Sequence, residues 1–134
     1  MNGAKEDLIK YRQIRALETL KDAKVVAQGG GWNTCVNRLY YACFYAVSAL
    51  LTRHGLSSAK HSGVRSLFNR HFVKTGKVSK EMGRIYNDLY ERRQEGDYED
   101  FFNFAEDVVR PWIPQTEAFI ECIADVLEKE SKTA

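Results

Sequence analysis

Asn37-Arg38-Leu39-Tyr40-Tyr41-Ala42-Cys43-Phe44-Tyr45-Ala46 packs four aromatic side chains into six residues. On a helix they cannot all face one way. Tyr40, Phe44 and Val47 share a face, while Tyr41 and Tyr45 lie about 100° further round. Asn37 and Arg38 sit one turn earlier, on those same two faces. Extended outward, Val36, Tyr40, Cys43, Phe44, Val47, Leu50 and Leu51 form one broad apolar face. The helix carrying it is expected to start at an Asn33 or Thr34 cap and to end near His54, before Gly55. A helix this apolar belongs at the centre of a helical fold. Tyr41 and Tyr45 are then either a second buried face or an exposed aromatic stripe able to take a base or a partner helix.

The flanking sequence supplies neighbours of the same kind. Glu6 to about Ala27 reads as a helix with Ile14, Leu17 and Leu20 inward, stopped by Gly29-Gly30-Gly31. Ser57 or Ser58 can cap a third helix, with Val64, Leu67, Phe68, His71 and Phe72 apolar. Lys74-Thr75-Gly76-Lys77 is a turn. Ser79 caps a fourth helix carrying Met82, Ile85, Tyr86 and Leu89 inward, and Gln94-Glu95-Gly96-Asp97-Tyr98 is expected to break or bend it. The last helix begins near Pro111, or earlier with a kink there, and ends near Lys129. Residues 131–134 are expected to fray. The prediction is an all-α, up-and-down bundle of about five helices in one domain over 1–134, with a core at about 6–127.

Composition narrows the class. The chain has 134 residues, 28% charged and 44% hydrophobic, in proportions ordinary for a soluble globular protein. It shows neither the apolar core of a signal peptide nor a run long enough for a membrane span. Three cysteines cannot all pair, Cys43 falls on an apolar pattern, and a reduced, cytoplasmic setting is expected. Charge is strongly partitioned: residues 23–80 hold nine Lys or Arg, all three His and no Asp or Glu, whereas 81–134 hold six basic and fourteen acidic residues. Seven of those nine cations fall in Arg53–Lys80, and nine carboxylates fall in Glu81–Asp107. Either the two segments meet, or the basic one offers a surface to an anion.

Several local patterns bear on chemistry. Lys60-His61-Ser62-Gly63 opens a helix, where free N–H groups beside Lys and His suit an anion, although a plain helix start explains it as well. Arg65 and His71 are six residues apart, hence about 120° apart on a helix, and their pairing reads as incidental. No His pair has metal-ligand spacing, and no phosphate loop or nucleophile elbow is present, so neither metal nor cofactor is expected. In Arg92-Arg93-Gln94-Glu95-Gly96-Asp97-Tyr98, Arg93 either pairs structurally with Asp97 or clamps a phosphate with Tyr98 beside it.

These pieces together resemble the HEPN-domain family. They are Asn37–Ala46 with Ala49-Leu50-Leu51, then Lys60–Gly63, then Phe72-Val73-Lys74-Thr75-Gly76, then Arg93–Tyr98, in family order over roughly residues 6–127. The resemblance implies a helical bundle, a homodimer and, for many members, a minimal nucleotidyltransferase partner in a toxin–antitoxin-like pair. In ribonuclease members an Arg and a His four to six residues later lie in a cleft at the dimer interface. Here Asp97 and Tyr98 follow Arg93 and no histidine does. Asp is charged near neutral pH, and Tyr titrates near 10, so neither replaces the imidazole well.

The leading expectation is a dimeric nucleotide- or RNA-binding module with a nucleotidyltransferase partner. Arg93, Asp97 and Tyr98 line its cleft, Arg38, Lys60 and His61 form a basic wall, and Tyr41 and Tyr45 lie at the dimer interface. Whether it is an enzyme stays open, leaning towards not. The alternatives are a weak metal-independent ribonuclease toxin using the same cleft and a purely structural dimerisation protein. The resemblance also makes Tyr98 a candidate for modification by the partner, which requires that it not be buried.

Overall fold

The computed structural model describes residues 3–98 and 102–133, and among these the fold is entirely helical. The helices are α1 (Gly3–Gln28), α2 (Trp32–Arg53), α3 (His61–Phe68), α4 (Lys80–Tyr98), the single turn α5 (Glu106–Val109) and α6 (Trp112–Thr133). A π-helical turn, Asn69–Val73, extends α3.

As its periodicity predicts, α2 is the central helix. It packs against α1, α3, α4, α5 and α6, with Val36, Leu39, Tyr40, Val47, Leu50 and Leu51 buried. Tyr40, Tyr86, Phe68 and Phe119 continue the core in a chain of ring contacts: Tyr40 stacks on Tyr86 at 6.0 Å, Tyr86 on Phe119 at 6.0 Å, and Phe68 meets Tyr86 edge-on at 5.4 Å. Such pairs contribute about 0.5–1.5 kcal/mol each beyond the area they bury.

Helix α1 departs from the sequence reading. Its inward face is Ile9, Ala16, Thr19, Leu20, Ala23 and Ala27. Ile14 and Leu17, expected inside, are 55% and 59% exposed. The small residues win the interface because they let α1 lie close along α2.

The junctions show why each helix stops or continues. After α1 the carbonyl of Val26 accepts the N–H groups of Gly29 and Gly31, at 3.2 and 2.9 Å, and Gly30 takes a positive φ of 78°. Gly31, not Asn33 or Thr34, is the N-cap of α2. Ser79 caps α4 as expected, its Oγ accepting the Met82 N–H at 3.1 Å, whereas Lys60 rather than Ser57 or Ser58 precedes α3.

Of the expected break or bend at Gln94–Tyr98, the break does not occur, and α4 runs through to Tyr98. Gly96 is there for space: a Cβ on it would come within 2.8 Å of Phe104 Cε2. Phe104 belongs to the segment that returns across the end of α4, which Asn33 holds by donating to the Phe102 carbonyl (2.7 Å) and accepting from the Phe104 N–H (2.8 Å). Pro111 directly precedes α6 and Pro114 lies in its first turn, where the missing donor has no intrahelical acceptor. The helix continues past Lys129 to Thr133, and Ala134 lies outside the described residues.

Candidate functional site

Arg93 projects from the inner face of α4 and is only 6% exposed. Its guanidinium lies over the Tyr40 ring at 4.5 Å from the centroid, with Tyr41 at 5.9 Å and Tyr90 at 6.0 Å. Cation–π attraction of this kind is worth about 0.5–2 kcal/mol. Asp97 stands one turn on, with Arg93 Nη1 3.7 Å from Asp97 Oδ2. That distance is an ion pair but too long for a hydrogen bond, and Arg93 Nε is buried without a partner.

The polar surroundings are arranged in a chain. Asn37 Nδ2 donates to Asp97 Oδ2 at 3.1 Å, and Arg38 donates through Nε and Nη2 to Asn37 Oδ1 at 3.1 and 2.8 Å. Arg38 also covers Tyr41 at 5.2 Å. Asp97 is thereby shared between Arg93 and Asn37, which leaves the Arg93 guanidinium incompletely neutralised.

His61, the first residue of α3, closes the other side. Its ring stacks on Phe44 at 4.5 Å and lies tilted against Tyr40 at 5.8 Å. His61 Nδ1 and the Tyr40 hydroxyl are hydrogen-bonded at 3.1 Å. Among the described residues Nε2 has no hydrogen-bond partner, and it is not buried. Burial and then the charge of Arg93 push the imidazole below its usual range, which favours its neutral form. Lys60 is exposed beside it. Gly63, two residues on, lies against the incoming loop: a Cβ there would collide with Ser58 Oγ.

Of the expected site residues, one chain therefore gathers Arg93, Asp97, Arg38 and His61, with Lys60 at the rim. It does not bring Tyr98 to them. Because α4 stays helical, Tyr98 points about 140° away from Arg93 and is 73% exposed, in an open groove with Glu91, Arg92, Gln94 and Glu95. Tyr41 and Tyr45 are half-buried, and Arg15 covers Tyr45 at 5.1 Å. They do not form a bare aromatic stripe. Tyr40, Asn37 and Tyr90 complete the cluster; the first two were legible only as core and flanking positions, and Tyr90 carried no signal in the sequence.

A scan against family models matches residues 9–128 to the HEPN domain. The chain belongs to the HEPN domain family. Among curated relatives of this HEPN chain, a "UPF0332 protein" of Thermotoga maritima is 49% identical over 124 residues, covering 92% of the chain and 94% of that relative. A Methanocaldococcus jannaschii protein named "Putative toxin MJ0142" is 33% identical over 85 residues, 63% of this chain and 58% of that one.

Electrostatically, the two charged segments of the HEPN bundle do not neutralise each other. Among the described residues one ion pair joins Arg53–Lys80 to Glu81–Asp107, Arg65 with Glu91 at 2.7 Å, while Lys24 reaches Glu117 at 2.9 Å outside them. Arg53 pairs instead with Glu6 and His54 with Glu130. Glu99 and Asp100 lie outside the described residues. No helix is long and apolar enough to cross a membrane, again among the described residues.

Proposed function

We propose that this chain is the HEPN half of a toxin–antitoxin-like pair: a cytoplasmic homodimer whose Arg93 cleft binds a nucleotide or RNA, with a minimal nucleotidyltransferase as partner. The observation that carries the binding reading is Arg93 itself. A buried guanidinium with an orphaned Nε and one long ion pair is costly to keep unless something completes its coordination. A phosphate fits, because two of its oxygens can accept parallel N–H donors from the planar guanidinium fork. The name of the M. jannaschii relative supports the toxin-like context.

The test is binding of labelled RNA and of mononucleotides by wild type and by Arg93→Met. Wild-type affinity should fall steeply as salt rises, and the variant should lose it. Retention of full affinity by a folded Arg93→Met variant would refute the reading. Tyr98, exposed at the end of α4, meets the requirement for modification by the partner. Incubation with that enzyme and ATP should add mass to wild type and not to Tyr98→Phe, and an unchanged mass with active enzyme would remove this role.

A second reading, ribonuclease activity, is favoured by one observation: His61 supplies from α3 the imidazole that the Arg93 segment lacks. Its neutral ring has a free Nε2 beside a fixed cation. In the tautomer with the proton on Nδ1, Nε2 takes the proton of a ribose 2′-hydroxyl. That oxygen attacks the adjacent phosphorus, the P–O5′ bond breaks, and water protonates the leaving oxygen. Products ending in a 2′,3′-cyclic phosphate and lost in His61→Ala would establish this reading. RNA left intact at saturating binding would dismiss it.

A further inference from the structure

The basic segment adjoins the Arg93 cluster through Tyr90, itself only 8% exposed. Tyr90 is the joint: its ring lies 6.0 Å from the Arg93 guanidinium and 4.1 Å from that of Arg65. Arg65 in turn opens a groove of about 610 Å³ lined by Ser66, Asn69, Arg70, Val73 and Lys74. The groove is held in shape from below. The side-chain amides of Asn69 and Asn87 exchange two hydrogen bonds, at 3.0 and 2.9 Å, tying the π turn to α4. Gly83 lets that turn settle onto α4, since a Cβ there would come within 2.7 Å of Val73 Cγ2.

Among the described residues no carboxylate lines this groove. Glu91, the nearest acid in these contacts, is taken by Arg65. Arg70 and Lys74 are exposed and hold no ion pair among the described residues. Along the helix axis Arg65, Arg70 and Lys74 are spaced roughly 6–8 Å apart, a step on the scale of one nucleotide. The groove is an open trough with cations along it, not an enclosed cavity for a base.

We propose that the ligand of the Arg93 cleft is a single-stranded oligonucleotide rather than a mononucleotide, its successive phosphates passing from Arg93 across Arg65 to Arg70 and Lys74. This rests on the reading of Arg93 as a phosphate site and names the ligand class for it. Backbone recognition of this kind contributes affinity without base sequence preference. An acidic protein segment is the competing occupant. The continuity of the cations with the Arg93–His61 cluster favours the strand, because a peptide would have no use for the cleft at its end.

The experiment uses full-length wild type, Arg70→Glu/Lys74→Glu and Arg93→Met, with a labelled eight-nucleotide RNA of about that length, DNA of the same sequence, and AMP as the mononucleotide. The double variant should bind the RNA at least tenfold more weakly. Its log–log salt slope should flatten by about 1.4, two contacts at roughly 0.7 each on a single strand. AMP binding should be unchanged. Equal loss on DNA assigns the track to the phosphodiester backbone, and loss on RNA alone assigns it to a ribose-bearing strand; both support the proposal. An unaltered RNA affinity in the double variant, with binding lost in Arg93→Met, would overturn the track and leave the Arg93 site standing. Wild type that binds neither AMP nor RNA would overturn both. Loss of an acidic protein partner by the double variant, with RNA binding intact, would make the groove a protein interface.

Discussion

At the scale of single residues, Arg93 sets a conflict between stability and binding. Its Nε is buried and unpaired, so the site stores unfavourable free energy. Replacing a poorly compensated buried charge by an apolar side chain of similar length is often neutral or stabilising. Arg93→Met should therefore melt at the same temperature as wild type or higher while losing anion binding, as read by calorimetry beside a binding titration. A clear fall in melting temperature would mean that the stack on Tyr40 outweighs the orphaned donor. His61 offers a second measurement. Burial first and Arg93 second hold its pKa below the 6.5 of an unperturbed imidazole. As pH falls through 6.5 the unfolded chain takes up the proton before the folded one, so stability should be lost from there down to the folded pKa. Proton NMR should find the His61 midpoint below 6.5 in wild type, and raised partway in Arg93→Met because only the second cause is gone. A midpoint unmoved by Arg93→Met would separate the two groups. The pairing was not visible in sequence. Lys60-His61 and Arg93 were each legible, but their meeting depends on how α3 and α4 pack on Tyr40.

Among the elements, α2 was the most legible because its apolar residues are large and recur at helical spacing. Two other elements were misread for opposite reasons. In α1 Ile14 and Leu17 point to solvent although Leu20 is buried as expected, since most of the contact face, Ile9 and Leu20 apart, is built from Ala and Thr. In α4 a glycine read as a break is a point of close approach, and the residue that needs the space lies beyond the helix end. Gly83 shows the same physics inside α4. A Cβ there would face both methyls of Val73, at 2.7 and 3.1 Å, so rotating the valine gives no relief. Gly83→Ala should cost about 1–3 kcal/mol in chemical denaturation, and Val73→Ala in the same chain should recover part of that. Additive losses in the double variant would show that the two side chains do not share the space.

For the whole molecule, exposure is concentrated on one helix. Leu8, Tyr11, Ile14, Leu17 and Val25 of α1 are five of the seven large hydrophobic residues exposed among the described residues. The fold does not rest on them. Ile14→Lys and Leu17→Lys should each change stability by no more than about 0.5 kcal/mol, whereas Ile9→Ala on the inner face, 1% exposed, should cost about 2–5 kcal/mol. Urea denaturation distinguishes these, and a large loss from Ile14→Lys would show that this surface is covered in solution. The partition of charge, plain in the sequence, survives folding because few ion pairs cross it.

The clasp between Asn33 and the returning segment also bears on motion. Asn33 fastens the Phe102–Phe104 backbone to the start of α2, and Phe104 in turn rests on Gly96 near the end of α4. Those two helix ends carry Asn37 and Arg38 on one side and Arg93 and Asp97 on the other. A connection of this kind would ordinarily open on a fast timescale. Here its amide is tied down, so the Phe104 N–H should exchange with deuterium at a rate typical of the bundle's interior. The side chains around Arg93 are then held in place in the free protein, and the proposed binding would cost little ordering entropy.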